Sequence, residues 1–260
     1  MIDCLYRRVG VEGDYQVFDS TDGTRSNWDS EIQHGSPPLA LMTRLIEDLA
    51  AGTGLRVGRL TLDILGAIPV TRVRARAWVQ RPGRRISLMV AEMSAGERVV
   101  ARVSAWLLAP SDTADVALDR YPPLVEGAAV PSPHRWPSST GYLDAVSWRW
   151  QPDTGDTGSV VWMSPLVPLI DSEPTTALQR LAMVVDSANG AGAALDAERF
   201  VFMNTDTAVH LHRLPEGDDF ALRARGSIGP DGIGVTTAEL FDRRGFIGTS
   251  AQTLLVQRRS

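Results

Sequence analysis

TTALQRLAMVVDSANG, residues 175–190, sets Leu178, Leu181, Ala182 and Val185 at helical spacing and so predicts a helix with one apolar face, ended by Gly190. Four strand-like runs follow it: FVFMNTDTAVHLHRL (200–214), DFALRARGSIG (219–229), GIGVTTAELFD (232–242) and GFIGTSAQTLLVQ (245–257). One apolar helix followed by an antiparallel meander is an α+β unit. Its stripe is buried when the sheet curls around the helix.

Working outward, the same order stands in the first half. HGSPPLALMTRLIEDLA (34–50) predicts a helix with Ser36 as N-cap, Pro37 at its first position and Leu39, Met42, Leu45, Ile46 and Leu49 on one face, ended by Gly52 and Gly54. LRVGRLTLDILG (55–66), TRVRARAWVQ (71–80), RISLMVAEM (85–93) and RVVARVSAWLLA (98–109) then read as strands separated by turn residues such as RPGR (81–84) and SAGE (94–97). DYQVFDS (14–20) reads as a strand before the first helix, and YLDAVSWRW (142–150) and SVVWMSPLV (159–167) as strands before the second. An offset of about 146 lays one half on the other as two copies of one unit. Ala91–Glu92 then meets Ala238–Glu239, and Ser104–Ala105–Trp106 meets Ser250–Ala251–Gln252. The chain is therefore divided into an N-terminal unit (1–110), a linker rich in proline and small residues (111–139) and a C-terminal unit (140–260). Two such units joined sheet to sheet are an α+β double hotdog, with the helix ends near a shared cleft.

Composition narrows the chemistry. All 26 basic residues are arginine, which excludes a Schiff-base lysine, a pyridoxal phosphate anchor and the lysine of a phosphate loop. One cysteine, Cys4, cannot form an internal disulfide or a thiol metal site. The formal charge of −5 argues against nucleic acid as a partner. No run approaches the roughly 18 apolar residues of a membrane span, and the first residues lack a signal-peptide apolar segment, so a cytoplasmic protein is expected.

The chain resembles the acyl-CoA thioesterase II (TesB-like) family of double-hotdog enzymes. HGSPPLALMTRLIEDL, MVVDSANG, TDTAVHLHR and the SAQ of the last strand, in that order and spacing, carry the resemblance over most of the chain. It implies hydrolysis of fatty acyl-CoA thioesters by a directly activated water, with no acyl-enzyme and no cofactor. The family's aspartate falls on Asp186 and its glutamine on Gln252. The hydroxyl between them is not fixed: anchoring on His212–Arg213 puts Asn204 there, and a one-residue slip uses Thr205.

The residues suit that chemistry. A thioester needs an aimed water, a group to take its proton and donors for the oxyanion. Asp186 lies about 80° from Leu178 on a helical wheel, at the border of the apolar stripe, and Gln252 can both accept from and donate to one water. Gly35 and Ser36, at a helix start, can offer backbone N–H groups, and His34 beside them is the histidine placed to touch substrate. The substrate-binding set is thus His34, Gly35 and Ser36.

Other readings are weaker. His210 and His212 share a strand face, but the two further histidines, His34 and His134, lie in distant loops, so no metal is expected. No G-x-S-x-G elbow occurs, and GPDGIG (229–234) lies between strands, as a turn does. Trp148, Trp150 and Trp162 read as core, with the lining of an acyl pocket as the alternative. Arg84, Arg85, Arg243 and Arg244 read as solvated turn residues, with CoA phosphates as the alternative. A hotdog enoyl-CoA hydratase would need a D-x-N-x-x-H type motif, which is missing; a non-catalytic acyl-CoA binder is the second alternative. Exposed sheet surface argues for a homo-oligomer, dimer or tetramer.

Overall fold

The computed structural model describes residues 2–133, 140–152 and 158–259; His134 and the end of the linker lie outside the described residues. The N-terminal half contains β1 (Tyr6–Glu12), β2 (Tyr15–Ser20), α1 (Ser36–Ala50), β3 (Arg56–Ile64), β4 (Arg72–Arg81), β5 (Ile86–Ala95) and β6 (Arg98–Leu108). The C-terminal half contains β7 (Val146–Trp150), β8 (Ser159–Pro165), α2 (Ala177–Val185), α3 (Ala188–Ala191), β9 (Phe200–Asn204), β10 (Asp206–Leu211), β11 (Phe220–Ile228), β12 (Ile233–Asp242) and β13 (Gly245–Arg258). The strands form one continuous sheet in the order β1-β2-β4-β5-β6-β3-β10-β13-β12-β11-β8-β7, with β9 attached to the far end of β13. Read from either edge, the order is the same unit. This is a double hotdog.

The halves join where β3 pairs antiparallel with β10, with Leu60 opposite Val209 and Leu62 opposite Thr207. Inside the curl, α1 and α2 pack on each other and on both inner sheet faces, and one continuous apolar core runs from Leu39, Met42 and Ile46 through Val103 and Leu107 to Leu181 and Val185. α1 is long enough to present its stripe over four turns. Thr176 caps α2 by accepting from the Gln179 N–H at 3.1 Å, while the Gln179 side chain accepts from the Thr176 N–H.

Three local features differ from the sequence reading. The N-terminal lead-in contains β1, because Tyr6 is buried and the Leu5 and Tyr6 N–H groups bond Pro168 O and Leu169 O of the other half. The helix read as 175–190 breaks at Asp186 and Ser187 into α2 and the short α3. The run 200–214 is two strands, because β13 is long enough to pair with β10 at its start and with β9 at its end. Thr205 marks the break, its N–H donating to Thr253 O and its carbonyl accepting from the Ile64 N–H.

The ladder also corrects the alignment of the halves. β5 and β6 pair Ala91 with Val103 and Met89 with Ala105; β12 and β13 pair Ala238 with Ser250 and Thr236 with Gln252. The counterpart of Gln252 is therefore Ala105, one residue from Trp106; β3 pairs Leu62 with Val103 as β10 pairs Val209 with Ser250, so the counterpart of Thr207, two residues before Val209, is Leu60. Ala105 and Leu60 are buried in the core, whereas Trp106 stands on the other face.

Candidate active site

Asp186 is the C-cap of α2 and only 3% exposed, deeper than the helical wheel suggests. It lies past the last regular turn, where the start of α1 and the inner face of β13 close over it. Its Oδ1 accepts from Asn204 Nδ2 at 2.7 Å, from Gln252 Nε2 at 3.1 Å and from the Thr207 hydroxyl. Gln252 Nε2 also donates to Asp186 O at 2.9 Å and to Thr207 Oγ1 at 3.0 Å. With these acceptors around one nitrogen, the orientation of the amide is set by the network. Thr207 and Gln252 are 0% and 1% exposed, so they lie behind the carboxylate as its supports.

The other oxygen, Oδ2, faces the first half. His34 Nδ1 lies 3.6 Å from it and accepts the Ser36 N–H at 3.1 Å. A neutral His34 therefore carries its proton on Nε2. The ring is stacked on Tyr142 at 3.9 Å between centroids, with 10° between planes, and burial lowers its pKa against the pull of Asp186. Gly35, not Ser36, is the N-cap of α1, because His34 Nδ1 performs the capping. The Ser36 side chain is fully buried, within 3.2 Å of the Tyr142 hydroxyl, which also contacts Met183 O and Ser187 Oγ at 2.8 Å each. The Ser36 N–H is thus already used, and the Gly35 N–H has no partner among the described residues.

These groups open onto a cavity of about 720 Å³, large enough for a thioester and its acyl group. His34, Gly35, Asp186, Asn204 and Thr205 line it, and the apolar wall comes from Trp28, Trp148, Trp150, Leu143, Ile64 and Ile68. Val130, Pro131 and Ser132 of the linker complete it, held by the Val130 N–H to Trp150 O bond of 2.8 Å. Trp162, by contrast, is buried in a satellite core with Ala221, Phe241 and Phe246.

Of the residues singled out from sequence, Asp186, Gln252, Asn204, His34 and Gly35 come together. Thr205 lines the cavity but is exposed, and its hydroxyl contacts Asp206 Oδ1 at 3.2 Å rather than Asp186. Thr207 is the hydroxyl the sequence reading missed. Its strand position is the available signal: in TDTAV, Thr207 shares a face with buried Val209 and Leu211, whereas Thr205 falls in the strand break. His210 and His212 are exposed, and no group of three or more His, Cys, Asp or Glu side chains is placed to share a metal among the described residues. Nor is any helix among them long and apolar enough to cross a membrane.

The double hotdog, with a buried carboxylate beside an apolar cavity, agrees with the thioesterase resemblance of the sequence. The family model for the acyl-CoA thioesterase C-terminal domain matches residues 119–256, more than half the chain, and that for the N-terminal domain matches residues 24–108. The chain belongs to this acyl-CoA thioesterase family and is a thioester hydrolase. Among solved structures it resembles an acyl-CoA thioesterase II, TesB2, from Mycobacterium marinum (TM-score 0.70, 14% identity, 97% of this chain and 95% of that chain). It also resembles a protein with a hot dog fold from Alicyclobacillus acidocaldarius (TM-score 0.72, 14% identity, 96% and 95%). A third is a tesB protein from Mycobacterium avium (TM-score 0.66, 15% identity, 96% and 95%). At these identities the likeness is one of fold. No curated protein matches the sequence.

Proposed function

We propose that the protein hydrolyses acyl-CoA thioesters to free acid and CoA through a water activated by Asp186, without an acyl-enzyme. The observation that carries this reading is the division of labour on the carboxylate: three donors hold Oδ1, while Oδ2 accepts no hydrogen bond among the described residues and lies 3.6 Å from His34 Nδ1, with Asp186 and His34 both lining the cavity. A water bonded to Oδ2 passes its proton there as its oxygen attacks the carbonyl carbon. The tetrahedral oxyanion is received by the Gly35 N–H and by Nε2–H of neutral His34. When the carbon–sulfur bond breaks, the proton on Asp186 returns to the leaving sulfur, and the acid and the thiol are released. In this mechanism Asn204, Thr207 and Gln252 position the base, and Thr205 is a lining residue.

A non-catalytic acyl-CoA binder would follow from an amide, Asn204, standing where the family has a hydroxyl. Thr207 supplies a hydroxyl beside Asn204, which favours hydrolysis over binding alone. An assembly of two or four copies belongs to the same proposal, and light scattering on the purified chain tests it.

The decisive experiment measures free thiol released from short to long acyl-CoAs by wild type and Asp186→Asn. Wild type turns over part of the panel, and the variant loses at least about a hundredfold, near 2.7 kcal/mol of transition-state stabilisation. A wild type that binds acyl-CoA but releases no thiol, or a variant that keeps its rate, overturns the mechanism.

A further inference from the structure

Three arginines cluster beside Trp28 of the cavity wall without acidic partners among the described residues. Arg199, Arg258 and Arg259 are exposed, and none of them enters an ion pair among the described residues. By contrast, Arg243 and Arg244, which sequence alone offers for phosphate, are engaged: Arg243 with Glu126 at 2.6 Å and with Asp219, and Arg244 with Glu216. The two acids nearest the cluster in sequence do not neutralise it: Asp196 Oδ1 accepts the Glu198 N–H at 2.9 Å, and neither carboxylate pairs with an arginine among the described residues.

Backbone bonds tie the three together. Arg258 stands opposite Phe200 in the β9–β13 ladder, the Arg259 N–H donates to Arg199 O at 2.9 Å, and Arg259 Nε donates to Ala197 O at 2.9 Å. Aromatic rings hold the side chains. The guanidinium carbons of Arg199 and Arg258 lie 5.9 and 4.9 Å from the Phe200 centroid, and that of Arg259 lies 5.7 Å from Trp28, a residue of the cavity wall. A guanidinium held by an aromatic ring keeps most of its N–H fork free for an anion, and that planar fork matches phosphate oxygens.

The spacing fits a thioester. Asn204, on the Asp186 carboxylate, pairs with Leu254, and the next ladder pair, Met203 with Leu255, is both exposed and part of the cavity wall. Phe200 and Arg258 lie four ladder positions from Asn204, about 13 Å at ~3.3 Å per residue. In CoA, about thirteen bonds separate the sulfur from the first phosphorus, on the order of 16 Å when extended. Phe200 and Arg258 share the strand face of Asn204 and Leu254, so an arm leaving the site along Trp28, the wall residue under Arg259, comes within reach of the arginines.

We propose that Arg199, Arg258 and Arg259 bind the phosphorylated nucleotide end of CoA and make the enzyme selective for CoA thioesters over thioesters of bare pantetheine. This rests on the thioesterase reading above. The test compares one acyl group on CoA and on pantetheine, using wild type and a triple Arg199→Gln, Arg258→Gln, Arg259→Gln variant that keeps aliphatic stems over the rings. The expected result is a KM for the acyl-CoA raised at least about tenfold in the variant with little change in kcat, added salt doing the same to wild type. The acyl-pantetheine should be insensitive to both. An unchanged KM for the acyl-CoA, or an equal loss on both substrates, overturns the proposal. If wild type hydrolyses neither substrate, the thioesterase reading fails separately. CoA binding by calorimetry then decides: weaker binding by the variant supports the subsite, and equal binding overturns it.

Discussion

At Gly35 one methyl group is enough to displace the proposed base. Gly35 has φ −69° and ψ −25°, a conformation any residue adopts, so alanine brings no backbone strain. A Cβ built there lies 2.5 Å from Asp186 Oδ2, 2.8 Å from Cγ and 3.0 Å from Oδ1. A carbon and an oxygen settle near 3.4 Å, so the carboxylate must withdraw by about 0.9 Å. That movement pulls Oδ1 away from Asn204, Thr207 and Gln252. A misplacement of about 1 Å costs on the order of a hundredfold in rate, or ~2.7 kcal/mol. Stretching buried hydrogen bonds costs a further ~1–2 kcal/mol of stability, a fall of about 2–6 °C in Tm for a chain of this size. Thiol release and a thermal melt measured on the same preparation of Gly35→Ala check both numbers. A variant within threefold of wild-type kcat refutes the argument, because the carboxylate position would then not set the rate.

The remaining predictions separate roles. Thr207→Val removes a donor to Asp186 Oδ1 and should lower kcat by about ten- to a hundredfold, whereas Thr205→Val should stay within about threefold; equal effects in the same kinetic assay would contradict the positioning role of Thr207. Burial holds the His34 pKa below its ordinary value of 6.5 despite the pull of Asp186. The unfolded chain then binds the extra proton first, so this stability is intact above about pH 6.5 and is lost as pH falls through the folded value. Wild type should lose Tm more steeply than His34→Phe between about pH 7 and 5, and parallel curves would contradict this. For Asp242, burial raises the pKa, but the Arg213 guanidinium and the Glu216 and Arg244 N–H groups outweigh it and hold the carboxyl low. Arg213→Ala strips two 2.6 Å bonds from that fully buried side chain and should cost about 3 kcal/mol in a denaturant melt. A loss under about 1 kcal/mol would show that the backbone N–H groups suffice.

What was legible in the sequence follows from which forces are local. The apolar stripes of α1 and α2 and the alternation in the meanders express burial with a fixed period, and they give the double hotdog with its two helices. The strand break at Thr205 is not local. It exists because β13 extends past β10 and recruits Phe200–Asn204 as a separate strand, a decision made by a segment some fifty residues on. That break is also what misplaced the hydroxyl: with 200–214 read as one strand, counting back from His212 leads to Asn204, while the side chain that reaches the carboxylate with it is Thr207. The one-residue error between Trp106 and Ala105 has the same origin. Strand register is set by cross-strand pairing, and sequence similarity between halves this divergent does not resolve it.

The corrected register explains why the proposed site is not repeated at the equivalent positions of the first half. Each half could in principle present a helix end to the other, yet the positions equivalent to Thr207 and Gln252 are Leu60 and Ala105, both in the apolar core. A carboxylate at the mirrored place would be buried without donors, at a cost of several kcal/mol, so packing suits that location better than charge. The first half contributes instead through the start of α1. In the proposed mechanism His34, which caps that helix with Nδ1, keeps Nε2–H for substrate, and Gly35 lets the carboxylate approach to a distance no other residue permits. The proposed site draws on both halves. Asp186 gets its donors from its own sheet and its reacting face from the other helix, so the continuous β3–β10 ladder that fixes the two halves together also fixes the geometry of the site.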